Sequence, residues 1–380
     1  MYKILIVFGT RPEAIKMCPL VNCLKQNKNV ESVVCLTGQH REMLRNVMDV
    51  FKIKEEYNLD IMRSEQTLAT ITSDVLKGVS EVLEKEQPDI VLVHGDTTTS
   101  YASALAAFYK GIPVGHVEAG LRTYDMQAPF PEEFNRQSVD LISDLYFAPT
   151  ETAKNNLIKE GKNRECIYVT GNTVIDALLT TVKKDYTHEQ LNWVGNARLV
   201  LVTAHRRENI GIPMRQMFSA IKKIADEYED VKVIYPIHMN PKVREIGEKI
   251  LNNHERIRLI EPMELMDFHN FMARSYLILT DSGGIQEEAP ALGKPVLVMR
   301  NTTERPEGIA AGTLKLVGTS EEGIYKNVKM LLDSKNIYES MSKAANPYGD
   351  GHASERIVEA IENYFRGKEN AKDINSITSI

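Results

Sequence analysis

Three carboxylates in this chain stand where acids could move protons, and several cations and glycines stand where a departing anion could be held. In His94-Gly95-Asp96, His116-Val117-Glu118-Ala119-Gly120 and Phe130-Pro131-Glu132-Glu133, acids lie at or beyond the ends of apolar runs. Partial burial there raises proton affinity and suits a carboxyl group to acid or base work. The plain alternatives are helix caps and surface ion pairs; Asp96, followed by Thr97, Thr98 and Thr99, is a ready cap. A second group is cationic. Gly9-Thr10-Arg11-Pro12-Glu13-Ala14-Ile15-Lys16 leaves an apolar run through a glycine turn, with Arg11 and Lys16 near a helix start where an anion binds, unless that turn is merely solvated. Thr203-Ala204-His205-Arg206-Arg207-Glu208-Asn209 follows another run, and Pro236-Ile237-His238-Met239-Asn240-Pro241 the next; His205 with its arginines suits a leaving diphosphate.

Asp281-Ser282-Gly283-Gly284 opens a stretch carrying Gln286, Glu287 and Glu288. Glycines let backbone N–H groups approach a diphosphate and the helix dipole favours its charge, while Glu288, one turn in, is placed to reach ribose hydroxyls. A helix start capped by Asp281 or Ser282 is the alternative. Thr302-Thr303-Glu304-Arg305-Pro306-Glu307 adds a cation in an irregular loop, unless Glu304 and Arg305 simply pair. No GxGxxG or Walker sequence occurs, against NAD and ATP, and no HxH or HxxxH pair supports a metal.

Short runs of Val, Ile and Leu, each followed by a longer amphipathic stretch, must position these residues, a pattern of βα units on parallel sheets. The runs predict strands at 4–8, 33–36, 90–93, 114–117, 145–148 and 167–169, then at 199–203, 232–236, 258–260, 277–280, 296–299 and 314–317. The motifs follow strands, where open α/β sheets place ligands. The polar segment from Thr180 to Ala197 predicts a domain boundary, giving one domain over 1–185 and another over 186–353. An echo between VLVHGDTTTSYASALAAFYKGIPVGHV and LILTDSGGIQEEAPALGKPVLVM suggests related halves. From Ser354 to Arg366 the pattern is an amphipathic helix stopped by Gly367, ahead of a polar tail.

The composition is that of an ordinary globular protein: 46 Lys and Arg against 52 Asp and Glu, net charge −6, 43% hydrophobic. No basic run reads as a nucleic-acid surface, and the opening apolar stretch is too short for a signal peptide or a membrane span. Four cysteines without CxxC spacing fit reduced thiols in the cytoplasm.

FGTRPEAIKM, VLVHGDTTT, GHVEAGLRT, FPEEFNRQ, GNTVIDAL, TAHRRENIG, ILTDSGGIQEEAP, GKPVLVMR, TTERPEG and NPYGDGHAS, in this order, resemble the non-hydrolysing UDP-N-acetylglucosamine 2-epimerases. The resemblance implies the GT-B architecture, two Rossmann-like domains with parallel sheets facing a central cleft, and a C-terminal helix (354–380) crossing back onto the first domain. It implies a homodimer, no cofactor or metal, and reversible conversion of UDP-GlcNAc to UDP-ManNAc by UDP elimination to 2-acetamidoglucal and re-addition, feeding cell-surface polysaccharide synthesis. On matching positions Asp96, Glu118 and Glu132 share the proton transfers, His205 assists UDP departure and Lys16 orients the sugar or its leaving group. Arg11, Ser282, Gly283, Gly284, Glu288 and Arg305 bind substrate, and Gln39, His40, Glu42, Gln66, Arg206 and His238 match a second, activating UDP-GlcNAc pocket. Competing readings are a hydrolysing relative releasing ManNAc and UDP, a GT-B glycosyltransferase, and a sugar-nucleotide sensor without turnover.

Overall fold

Among the described residues thirteen strands form two wholly parallel sheets. The computed structural model describes residues 1–38, 41–63, 65–303 and 305–377. The strands are β1 (Tyr2–Phe8), β2 (Val30–Leu36), β3 (Tyr57–Asn58), β4 (Ile90–His94), β5 (Val114–Val117), β6 (Leu145–Ala148), β7 (Ile167–Val169), β8 (Arg198–Thr203), β9 (Val231–Pro236), β10 (Ile257–Ile260), β11 (Leu277–Thr280), β12 (Val296–Val298) and β13 (Leu314–Leu316). All twelve expected strands are present. The thirteenth, β3, pairs only Tyr57 and Asn58 with Cys35 and Leu36, too short to give an apolar run.

One sheet has the order β3-β2-β1-β4-β5-β6-β7 and the other β10-β9-β8-β11-β12-β13, so each runs outward in both directions from its first strand. The two halves of the sequence echo fall on β4–β5 and β11–β12, strands at equivalent places in these orders. The central strands are apolar throughout because helices cover both faces: Ile4 to Phe8 and Leu199 to Val202 are buried. Contacts divide the chain into a first unit of residues 1–180 with 349 onward, and a second of residues 181–348. The changeovers fall at Thr181 and Gly349, a little before the expected 186 and 354.

The return to the first unit is fixed locally. The Ala353–Ile377 helix starts with the N–H groups of Ala353 and Ser354 donating to the carboxylate of Asp176 (3.2 and 2.7 Å), a cap supplied from a distant helix. Farther along, Asn27 donates to Glu362 (2.9 Å) and Phe365 stacks on Tyr2 with ring centroids 4.3 Å apart. Gly367 does not stop this helix, contrary to the sequence-based expectation. A mid-helix glycine costs only about 1 kcal/mol, and the residues after it, Lys368 to Asp373, are mostly helix formers. No described helix is long and apolar enough to cross a membrane.

At the crest of the first sheet, the loops after β1 and β4 are tied by one buried carboxylate. Glu13, 1% exposed, accepts from the N–H groups of Gly9 (3.0 Å) and Thr10 (2.7 Å) and from the hydroxyls of Thr97 (2.6 Å) and Ser100 (3.0 Å). Glu13→Ala removes one acceptor shared by four donors and should lower stability by about 3 kcal/mol in a urea titration. A loss below about 1 kcal/mol would show that water replaces the carboxylate at no great cost.

Candidate active site

In the first unit the loops at the carboxyl ends of β4 and β5 carry Asp96 and Glu118. The Gly95 backbone is held from β5 on both sides: its N–H donates to Val117 O (2.8 Å) and its carbonyl faces His116 Nε2 (2.9 Å). His116 Nδ1 lies 2.6 Å from Asp140 Oδ1, so both ring nitrogens meet acceptor oxygens. Burial opposes ionisation of Asp140, but His116 and Arg122 outweigh it and hold the carboxyl below its ordinary range. Gly95 itself has φ +61°, and a Cβ there would stand 3.3 Å from Glu118 Oε2.

Asp96 is not the helix cap that its sequence suggests. Thr97 takes that place, accepting from the Ser100 N–H (3.0 Å), and the Asp96 carboxylate pairs instead with Arg136 Nη2. Asn135 Nδ2 donates to the Asp96 carbonyl (2.9 Å), so the helix Glu132–Ile142 fixes both ends of this residue.

Glu118 has a left-handed backbone, φ +66°, which a side chain other than glycine adopts at a cost. Its side chain is 9% exposed and forms an ion pair with Lys16 Nζ, itself 17% exposed. Asn172 Nδ2 donates to Glu118 Oε1 (2.8 Å), and His94 Nε2 stands 3.5 Å from Oε2. Lys16 thus has a carboxylate partner within the first unit. Arg11, which opens the Arg11–Gln26 helix, is partly exposed.

Glu132 and Glu133 separate clearly. Glu133 is fully buried and accepts from the N–H groups of Thr123 (3.0 Å) and Tyr124 (2.9 Å) and from Gln137 Nε2 (2.7 Å). Burial works against its charge, yet these bonds and Arg136 hold its carboxyl below the ordinary range, fitting a latch rather than a proton carrier. Glu132, the first residue of its helix, is partly exposed.

In the second unit Asp281 has the place that Glu13 has in the first. Wholly buried, it accepts from the N–H groups of His205 (3.0 Å) and Arg206 (2.9 Å) and from Asn209 Nδ2 (3.0 Å). It therefore does not cap the helix Ile285–Ala291, and Gly284 at that position has no side-chain cap bond. The backbone at Ser282 to Gly284 presents its N–H groups past the end of β11 with one such bond, from Ser282 to Thr280 Oγ1 (2.9 Å), spent on a side chain. A Cβ on Gly283 would lie 3.7 Å from Arg206 Nη2. His205 stacks on His238, centroids 5.3 Å apart; burial lowers its pKa, against the pull of Asp281 and with the help of His238 and Arg206.

Around this loop Thr303 donates to Gln286 Oε1 (2.5 Å), and Arg305 Nε pairs with Glu287. Arg305 thus has a partner other than its neighbour Glu304, which lies outside the described residues. Glu288 Oε2 is 3.4 Å from His269 Nε2, whose Nδ1 meets Thr181 Oγ1 at 2.6 Å.

Of the residues matched to an activating pocket, Gln39 and His40 lie outside the described residues, as does the side chain of Glu42. Gln66 donates to Ile61 O (2.5 Å) in the first unit, while Arg206 and His238 belong to the loops around His205. Asn172, Arg136 and the tie made by Asp281 were missed as site elements, although GNTVIDAL and FPEEFNRQ contain the first two. Among the described residues no group of three or more His, Cys, Asp or Glu side chains is placed to hold a metal ion.

Comparison with known proteins gives this geometry a family. The family described as UDP-N-acetylglucosamine 2-epimerase matches residues 22–362. The Bacillus subtilis UDP-N-acetylglucosamine 2-epimerase is 59% identical over 359 residues, 94% of each chain. A crystal structure from Listeria monocytogenes, 55% identical, superposes with a TM-score of 0.93 over 96% of this chain and 97% of that one. The Neisseria meningitidis UDP-GlcNAc 2-epimerase solved with UDP-GlcNAc is 47% identical, with a TM-score of 0.85 over 95% of this chain and 100% of that one. With its doubly wound sheets and its matching motifs, this chain belongs to the UDP-N-acetylglucosamine 2-epimerase family.

Proposed function

We propose that the protein interconverts UDP-GlcNAc and UDP-ManNAc by inverting C2, without hydrolysis and with no cofactor. The observation that carries this reading is the largely enclosed, cation-paired carboxylate of Glu118 on a strained backbone, in a chain whose relative is solved with UDP-GlcNAc. A C2 proton is weakly acidic, so its removal is coupled to departure of UDP from C1. A carboxylate takes the proton, the C2–H electron pair becomes the C1=C2 bond of 2-acetamidoglucal, and UDP leaves with the C1–O pair. Re-addition of UDP at C1, with a proton delivered to the other face of C2, gives the epimer.

One group does not serve both faces of C2, so Asp96, Glu118 and Glu132 share the transfers. Lys16, paired with Glu118, orients the sugar or its leaving group, and Arg11 contacts the nucleotide or diphosphate. In the second unit the N–H groups of Ser282, Gly283 and Gly284 receive the diphosphate, Glu288 the ribose and Arg305 the phosphate or sugar side. His205, its pKa lowered by burial, assists the departing UDP. The protein works as a cytoplasmic homodimer supplying cell-surface polysaccharide synthesis; exposed Phe108, Tyr109, Phe134 and Leu141 on the helices Thr98–Tyr109 and Glu132–Ile142 support self-association. A single-chain mass of 42.9 kDa in sedimentation would overturn the dimer.

Proton NMR with UDP-GlcNAc in D₂O, without added metal or nucleotide, should show deuterium entering C2 as UDP-ManNAc forms. Free ManNAc and UDP would establish the hydrolysing reaction instead, and an unchanged spectrum would leave a transferase or a sensor. In the same assay Asp96→Asn should slow turnover by at least about 10²-fold with the fold retained. Gly284→Asp places bulk and negative charge where the diphosphate sits, so UDP should no longer raise the unfolding temperature; undiminished protection would move the diphosphate site elsewhere.

A further inference from the structure

His94, the last residue of β4, is buried, and its Nε2 has no hydrogen-bond partner among the described residues. An orphan nitrogen in a packed interior is costly and calls for an explanation. This one lies 3.5 Å from Glu118 Oε2. Lys16 Nζ and Asn172 Nδ2 both address the other oxygen, Oε1. The carboxylate is thus approached from two sides: by a cation and an amide at Oε1, and by an imidazole at Oε2.

We propose that His94 is a positioning residue for Glu118, its Nε2–H donating to Oε2 and holding the carboxylate, with Oε1 set by Lys16 and Asn172, toward the sugar. At 3.5 Å the contact is longer than a made hydrogen bond, and catalytic bonds that are long at rest tighten in the reacting complex. Burial drives the His94 pKa down to about 3 against the attraction of Glu118, and Lys16 and His116 add to the fall. The ring is therefore neutral at working pH and carries one proton. Two acceptors compete for that proton, the His94 carbonyl and Glu118 Oε2, and in this proposal it sits on Nε2, against the carboxylate. A neutral donor serves Glu118 better than a cationic one: it orients the group and favours its charged form without competing to give it a proton.

The inference rests on Glu118 exchanging a proton with substrate, and the tests separate the two claims. His94→Leu should lower kcat about 10-fold or more with KM changed by less than about threefold, and should move the acid limb of the kcat profile up by about one pH unit, since a lost donor makes the carboxylate easier to protonate. His94→Gln keeps an N–H donor and should restore most of the rate and the position of the limb. An unmoved limb in His94→Leu, or no recovery in His94→Gln, overturns the proposal. If His94→Leu does not fold, the unaltered protein decides: with ¹⁵N-labelled histidine and UDP bound, NMR should show the Nε2–H tautomer at His94, and the Nδ1–H tautomer overturns it. Full activity in Glu118→Gln would instead remove the reading of Glu118 as a proton carrier. An inactive Glu118→Gln beside an unmoved limb in His94→Leu overturns the role of His94 alone.

Discussion

A buried carboxylate at the crest of each sheet is the constraint on which the loops of both units depend. An uncompensated charge inside a protein is very costly, so each of these acids is tolerated only because donors surround it. Glu13 gathers two backbone N–H groups and two hydroxyls; Asp281 gathers two backbone N–H groups and the Asn209 amide. In each unit the acid joins the loop after the first strand to the loop after the fourth, where the strand order reverses and a doubly wound sheet leaves a crevice. The sheet orders correspond, yet the acids come from opposite sides: Glu13 from the helix after β1, Asp281 from the end of β11. Similar tension between two loops is thus met by different residues, and the likeness of the halves lies in their topology more than in their side chains.

This arrangement lets neighbouring acids differ. Glu133 and Asp140 are both buried and both held below the ordinary carboxylate range by dense donors, which fits them to hold structure. Asp96 has a side chain 27% exposed and a single guanidinium, whereas Glu118 shares a tighter place with Lys16, Asn172 and His94. The two environments differ because each acid follows a different strand end.

The sheets were readable because parallel strands covered on both faces become continuous apolar runs, and all twelve expected runs are strands. β3 was not readable, since two residues make no pattern. Gly367 misled because a glycine stops a helix when the backbone there turns left-handed, and here the helix simply continues. At the site, residue types identified the clusters but not their partners. Nothing local to Asp96 reveals Arg136, and nothing local to Lys16 reveals Glu118, because those pairs join segments 40 and 102 residues apart. The alternative reading of Asp281 as a helix cap gives way for the same reason: local propensity offers a cap, and the distant N–H groups of His205 and Arg206 win.

The strain at Glu118 shows how firmly the first unit sets its geometry. A left-handed residue persists only where its surroundings leave no alternative. Immediately after it, the Ala119 N–H donates to Phe147 O (3.1 Å) and the Gly120 N–H to Asp140 Oδ2 (3.1 Å), so the chain is anchored to β6 and to the buried His116–Asp140 pair within two residues. Gly120 is packed so closely that a Cβ would fall 2.3 Å from Ala153 O. With β5 fixed before it and these bonds after it, the turn at Glu118 has one conformation available, and that conformation sends the carboxylate to Lys16. Glycine at this place would relax the backbone and lose the acid, so the strain comes with the ion pair that the side chain makes.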